Sequence, residues 1–374
     1  MAADMTGIGI IGCGTIAPAY LRTLAKAPSA RVVALADLDI GRARARAEEF
    51  GVSVATTPDE LLLRDDVGLV IDLTVPNAHH DVNRRALEAG KHVYSEKPLA
   101  ASAQEARALL ELAERVGRRL GCAPDTFLGV GYQTARTALD DDAIGRPLAA
   151  VAHMVTRGPE RWHHDPAFFY QPGAGPLLDM GPYYVTAMVA LFGPVASVSA
   201  EGGRAWPERV VATGPRAGER VMVAVDTHVT LLLRFHSGAL CTLLTSFDVG
   251  VSDLPRFEVF GEHGSLSLPD PNTFGGDVRV RRSMDEPWHT VAPVPGFAGN
   301  ARGLGALDLL LADRDVRPAR ASGALASHVL DVLDGGLTSI REGRRVLIDS
   351  HVTRPDPLTR DDLEACGWSG EVAA

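Results

Sequence analysis

A glycine-rich turn stands near the head of this chain. Gly12-Cys13-Gly14-Thr15-Ile16-Ala17 follows the apolar run Ile8 to Ile11 and opens a helical pattern that reaches about Ala27. The first glycine of such a GxGxxA pattern permits a tight turn from strand to helix. The second lets the backbone approach a pyrophosphate, and the alanine permits close helix–strand packing. The helix N-terminus then directs N–H groups and a positive dipole end at the phosphates. Arg31 to Ala36, Leu69 to Thr74, His92 to Ser95 and Arg119 to Ala123 read as further strands. Helical patterns separate them, one running to Phe50 and one from the serine cap Ser102 to about Gly117. Strands alternating with helices of this length predict βαβ units and a parallel sheet.

The pattern changes after Pro124. From about Val151 the strands are longer and tight turns join them. Asp226 to Phe235 and Ala239 to Phe247 flank His236-Ser237-Gly238, and Arg256 to Phe260 and Ser265 to Leu268 flank a GEHG turn. Both read as antiparallel hairpins. Val278 to Arg282 is a further strand, and two helices follow near Gly303 to Arg314 and Ser322 to Arg341. The tail after Pro355 is polar and weakly patterned. A chain of 374 residues accommodates two domains of ordinary size. The expected division is 1–123 for dinucleotide binding and 124–374 for substrate and oligomer contacts. A sheet of this kind buries one face and needs a cover on the other; helices can cover one side and a second subunit could cover the other.

Composition removes several classes of function. Apolar residues are 46% and charged residues 22%, which excludes a disordered chain and a small disulfide scaffold. The net charge is −10, so no global basic surface exists for nucleic acid or an anionic membrane. The cysteines, Cys13, Cys122, Cys241 and Cys366, lie far apart with no metal-ligand spacing, so no metal is expected. Such sparse cysteines suit a reducing compartment, and the start MAADMTGIGIIGCG shows no basic targeting region. A cytoplasmic protein is therefore expected. Met180 to Ala200 is uncharged but interrupted by Gly181-Pro182 and Gly193-Pro194, and reads as a buried helix followed by a strand.

Asp37 stands at the end of the second strand. An acidic residue there accepts hydrogen bonds from the ribose hydroxyls of NAD and repels the 2′-phosphate of NADP, so NAD is expected and NADP disfavoured. Arg42 is near in sequence but sits a turn into the next helix. Of 37 basic residues only Lys26, Lys91 and Lys97 are lysine. Lys26 suits a helix C-terminus and Lys91 a turn. Lys97, in Glu96-Lys97-Pro98 at a strand's carboxyl end, falls at the crevice where doubly wound sheets bind ligands. It can donate to a substrate oxygen and lower the pKa of a neighbouring acid. Pro98 is a candidate for a cis bond.

These residues, with Thr74-Val75-Pro76-Asn77-Ala78-His79 and AGKHVYSEKP, resemble the glucose–fructose oxidoreductase, inositol dehydrogenase and MocA family. The resemblance covers nearly the whole chain, because GAGPLLDMGPY from Gly173 to Tyr183 is similar to a second family segment. It implies an α/β architecture: an N-terminal Rossmann domain and a C-terminal α+β domain with a large, open, mostly antiparallel sheet. It also implies that Gly12, Gly14, Thr15, Ile16, Asp37, Thr74, Pro76, Asn77, His79, Glu96 and Lys97 surround the cofactor. His79, rather than His80, is favoured by its spacing to Ala89-Gly90.

Many members carry histidine where this chain has Tyr183, and others carry tyrosine. The resemblance thus implies that Tyr183 exchanges the substrate proton. An ammonium within about 4–6 Å favours a phenolate, and Lys97 would be that cation. Asp179 would orient the substrate or balance charge, sharing a helix face with Tyr183 four residues on. Asp125 and Thr126 stand where the family places substrate contacts, although APDTFLG departs from the family's run there. His163, His164 and Tyr184 complete the expected substrate set, since clustered polar and aromatic groups suit sugar recognition. Asn300 and Arg302 precede the first late helix, where they either reach the cleft or sit on the surface.

The expected function is NAD-dependent hydride transfer to or from a sugar, cyclic polyol or glycoside by a homodimer or homotetramer. A trans-dihydrodiol-type dehydrogenase and a non-catalytic NAD-binding regulator of the same fold are the alternatives.

Overall fold

A computed structural model describes residues 6–369. The first five residues, read above as lacking a targeting segment, lie outside that range. Six parallel strands form the first sheet: β1 (Thr6–Ile11), β2 (Ala30–Ala36), β3 (Ala55–Thr56), β4 (Leu69–Asp72), β5 (His92–Ser95) and β6 (Leu120–Cys122). Their order is β3-β2-β1-β4-β5-β6, so the direction of winding reverses between β1 and β4. Ligands bind at that switch point, beyond the strands' carboxyl ends. Helices α1 (Ala17–Leu24), α2 (Ile40–Phe50), α3 (Pro58–Leu62), α4 (Pro76–Glu88) and α5 (Ala103–Arg115) connect the strands. The short β3 and α3 carry too few residues to show a period. A Thr57–Glu60 capping box holds α3 instead.

Helix α6 (Val130–Asp140) leads into a second sheet. Its members are β7 (Pro147–Val155), β8 (Val195–Gly203), β11 (His228–Phe235), β12 (Leu240–Ser246), β13 (Phe257–Gly261), β14 (Gly264–Leu268), β15 (Arg279–Arg281), β16 (His289–Thr290) and β17 (Val346–Leu347). Only β7 and β12 pair in parallel; the other neighbours are antiparallel. A small excursion, β9 (Glu208–Val210) and β10 (Arg220–Met222), forms a separate hairpin. The buried helix α7 (Gly175–Phe192) and α9 (Gly323–Glu342) pack on one face of the large sheet. The helical reading of Met180 onward thus holds, and no described helix is long and apolar enough to cross a membrane.

The late helices also bind the two sheets together. α8 (Leu304–Arg314) and α9 contact β6, and the Cys122 N–H donates to the Ala321 carbonyl at 3.1 Å. The tail is better ordered than its polarity suggested. Its helix α10 (Arg360–Ala365) buries Leu363 and sends Asp362 to Arg320 at 2.7 Å, while Arg320 also pairs with Asp308 at 2.6 Å. The ordering interactions there are charged, so hydrophobic periodicity did not reveal them.

Candidate active site

The glycine turn is built as a cradle. Gly12 has φ +99°, and a Cβ there would come within 2.6 Å of the Leu73 backbone, so only glycine fits. Gly14 has open space where its side chain would be. Pro18 falls in the first turn of α1, and the preceding Gly14, Thr15 and Ile16 N–H groups have no protein acceptor among the described residues. Gly14, Thr15, Ile16, Asp37 and Thr74 line one cleft of about 600 Å³, with Leu38 exposed at its rim. Free N–H groups, an open glycine and an apolar rim fit a dinucleotide.

Asp37 is more committed than the sequence showed. Its Oδ2 accepts from the Cys13 N–H at 2.8 Å and its Oδ1 from the Asp39 N–H at 2.9 Å. It therefore ties the glycine turn to the end of β2. Arg42, set aside above, reaches back to within 3.6 Å of Asp37 Oδ1.

Lys97 lies on the turn after β5, where the Lys97–Pro98 bond is cis. Its Nζ donates to the Asp179 carbonyl at 2.7 Å and to Asp179 Oδ1 at 2.9 Å, and lies 5.5 Å from the centre of the Tyr183 ring. Pro182 sits inside α7 and offers no N–H to the carbonyl four residues back, so the helix ladder is open in the turn that Lys97 grips. Burial alone would favour a neutral amine, but Asp179 and Tyr183 outweigh it and hold the Lys97 pKa above the ordinary value. Burial raises the Tyr183 pKa and the neighbouring Lys97 lowers it, and burial is the larger effect.

Other expected positions have structural work. Glu96 accepts from the Tyr20 hydroxyl at 2.8 Å and the Lys97 N–H at 2.9 Å. His79 is buried, with Nδ1 2.6 Å from the Pro98 carbonyl and Nε2 3.2 Å from the Thr74 carbonyl; it braces the turns around the cleft from below. Pro76 and Asn77 line a small apolar pocket together with Lys97 and Pro98.

Five residues are expected to touch substrate, and the structure shows the surroundings of each. Asp125 is buried and its Oδ2 caps α8, accepting from the N–H groups of Gly303 at 2.8 Å and Gly305 at 3.0 Å. Burial, partly offset by those two hydrogen bonds, raises its pKa to about 6. Thr126 is buried in the next turn. Tyr184 is fully buried and points its hydroxyl at Asp270, 3.4 Å away, because it lies one residue around the helix from Tyr183. His163 and His164 stack on each other at 4.8 Å in an aromatic group with Trp162 and Phe168; neither lines the pocket that holds Lys97.

Arg302 is the residue whose place sequence left open. Its Nη2 donates to Asn272 Oδ1 at 2.9 Å and its Nη1 to Asn300 Oδ1 at 3.2 Å, and its positive charge, like that of Lys97, opposes the effect of burial on Tyr183.

Comparison with known proteins bears on the family and the fold. Residues 6–123 match the model of an oxidoreductase family with an NAD-binding Rossmann fold. Residues 132–267 match the GFO/IDH/MocA C-terminal domain. A 1,5-anhydro-D-fructose reductase of Ensifer adhaerens is 28% identical over 69% of this chain and 74% of its own. A dTDP-3,4-didehydro-2,6-dideoxy-alpha-D-glucose 3-reductase of Streptomyces violaceoruber is 36% identical over 50% of this chain and 54% of its own. The fold matches that of levoglucosan dehydrogenase in complex with NADH and L-sorbose, with TM-score 0.78, 22% identity and coverage of 92% and 99%.

Proposed function

This chain belongs to the glucose–fructose oxidoreductase, inositol dehydrogenase and MocA family of NAD(P)-dependent oxidoreductases, and from that membership we propose that it interconverts a hydroxyl and a ketone on a carbohydrate-like substrate. The convergence of Lys97, Asp179 and Tyr183 carries the reading. When bound, the nicotinamide supplies or accepts the hydride. Gly12 and Gly14 would let the backbone approach the diphosphate, and the free N–H groups of the turn would hold it. Asp37 lines the cleft at the end of β2, where it would accept from the ribose hydroxyls of a bound cofactor and so favour NAD. Tyr183, kept neutral by burial, gives its proton to the substrate oxygen during reduction and takes it back during oxidation. Lys97 polarises that oxygen and steadies the negative charge that develops there, while Asp179 fixes the ammonium.

The sugar reductases among the relatives support a carbohydrate substrate. The uncovered face of the large sheet supports a homo-oligomer, and four buried, free cysteines suit the cytoplasm. The test is a screen at the reduced-nicotinamide absorbance band, with sugars, inositols and glycosides against NAD and NADP. Turnover with NAD, abolished in Lys97→Ala, is the expected result. NADH binding with no turnover across the panel would instead favour a regulator, and a marked NADP preference would overturn the role given to Asp37.

A further inference from the structure

The small pocket that Lys97 lines lies between the turn after β5 and the helices α7 and α9. From α7 it takes Leu178, Pro182 and Thr186, spaced by four and so on one face of the helix, next to the face of Asp179 and Tyr183. From α9 it takes Ala326, Val329, Leu330 and Leu333, at the spacing of one apolar helix face. The cis turn adds Leu99 and Ala100, both buried. Asn77, Ala101 and Gly173 are exposed at the rim.

The charged groups of this wall are already engaged. The Lys97 ammonium holds Asp179, and Asp334 Oδ2 accepts from the Ala103 N–H at 3.0 Å. The Thr186 hydroxyl and the Asn77 amide are its uncharged polar groups; the rest of the lining is apolar. Ala100, Ala123 and Ala326 bring one methyl each to the wall, and their small size leaves a cavity of about 70 Å³. An apolar cavity of about 150 Å³ admits benzene and excludes water. A space less than half as large admits neither a nicotinamide nor a pyranose ring, but it admits a methyl or short alkyl group.

We propose that this pocket seats a methyl group of the substrate, so that the carbohydrate is a deoxy sugar with a methyl where common hexoses carry a hydroxymethyl group. This deepens the oxidoreductase reading above and rests on it. Lys97 forms part of the wall, so the methyl lies beside the oxygen that Lys97 polarises. A hydroxymethyl group adds one heavy atom and a hydroxyl that must give up its water. A hydrophobic pocket turns a difference of that size into about 10–200-fold in kcat/KM.

The test uses the full chain and matched pairs: D-glucose with 6-deoxy-D-glucose, D-galactose with 6-deoxy-D-galactose, and L-mannose with 6-deoxy-L-mannose. Turnover with NAD is read from nicotinamide absorbance, and affinity for NADH-loaded protein from nicotinamide fluorescence. At least one deoxy sugar should exceed its parent tenfold or more in both. Ala326→Leu fills the pocket and should abolish that preference by weakening the deoxy sugar, with NADH affinity within twofold of wild type. Ala326→Val, a smaller intrusion from the same helix face, should retain part of the preference. Thr186→Val makes the wall more apolar and should leave the preference at least as large. Parity within every pair, no binding of any probe, or a preference that survives Ala326→Leu would overturn the proposal. So would loss of the preference in Thr186→Val, which would mean that the pocket reads a hydroxyl. Loss of NADH affinity in both Ala326 variants would also overturn it, by giving the pocket to the cofactor. Turnover with parity leaves the oxidoreductase reading standing and removes this one. A deoxy preference in binding without hydride transfer does the reverse.

Discussion

At the scale of single residues, the chemistry turns on which charge Tyr183 carries. Its burial and the approach of Lys97 act in opposite directions, and burial prevails. A neutral phenol is an acid ready to donate, so Tyr183→Phe should lower the turnover of ketone reduction by about 10²–10⁴-fold. NADH affinity should hold, because the ring lies outside the glycine cleft. Since the Tyr183 pKa is raised above its ordinary value near 10, its ionisation should cause no loss of reduction rate between pH 7 and 9. Steady-state rates across that range check this; a downward inflection near pH 7 that disappears in the phenylalanine variant would show that the phenolate forms. Sequence pointed to Lys97 because the chain has so few lysines, and the structure brings it to Asp179 and Tyr183. Arg302 was not legible in the same way. Its place depends on where Asn272 and Asn300, whose side-chain oxygens accept from it, fold.

At the scale of elements, the strands and helices with clear period were legible, and their ends were displaced by only a few residues. What sequence missed were contacts joining distant segments. Asp125 is the instructive case: beside β6 it resembled a cleft residue, but its partners Gly303 and Gly305 lie 178 and 180 residues further on. As a cap it should matter to the stability of α8, and Asp125→Ala should cost about 0.5–2 kcal/mol. Its pH behaviour gives a finer test. The folded pKa of about 6 exceeds the ordinary 3.8, so between pH 4 and 6 the folded chain holds a proton that the unfolded chain has released. The contribution is therefore fully present below pH 4 and is lost as pH rises through 6, with a span on the order of 3 kcal/mol. Asp125→Asn keeps one acceptor and cannot titrate. Calorimetric unfolding of both proteins from pH 4 to 8 should show the wild type losing stability relative to the variant up to pH 6, then a constant difference. A constant difference throughout would mean that the carboxyl is not buried as described.

At the scale of the whole molecule, the large sheet has one face under α7 and α9 and one face without cover. Cross-strand register shows what the open face offers. Ser199, Leu232, Thr242, Val151, Glu258 and Ser267 form one row across β8, β11, β12, β7, β13 and β14. The next row toward the other end carries Arg234, Leu240, Ala149, Phe260 and Ser265. Each row is polar at its ends and carries apolar residues between them, a pattern that a contact between two copies of the chain would use. Leu232, second from the β8 end of its row, is 50% exposed and Leu240, on β12, 38%. A twofold contact would place the same row of each protomer against its partner, so one substitution acts twice. Leu232→Glu would bury two carboxylates in that contact, at a cost of several kcal/mol in all if they remain ionised and unpaired. Sedimentation velocity at micromolar concentration should show the wild type at twice or four times the chain mass and the variant at the mass of one chain. Thr290→Glu, on the exposed terminal strand β16, is the matched control and should leave the assembly intact. The inner residues Leu231 and Leu233 are buried in the core, so the change at Leu232 alters the outer face without opening a cavity. If the variant keeps the wild-type mass, the contact between subunits lies elsewhere and the open face must be stable in water by itself, which its polar row ends and paired central strands would then have to explain.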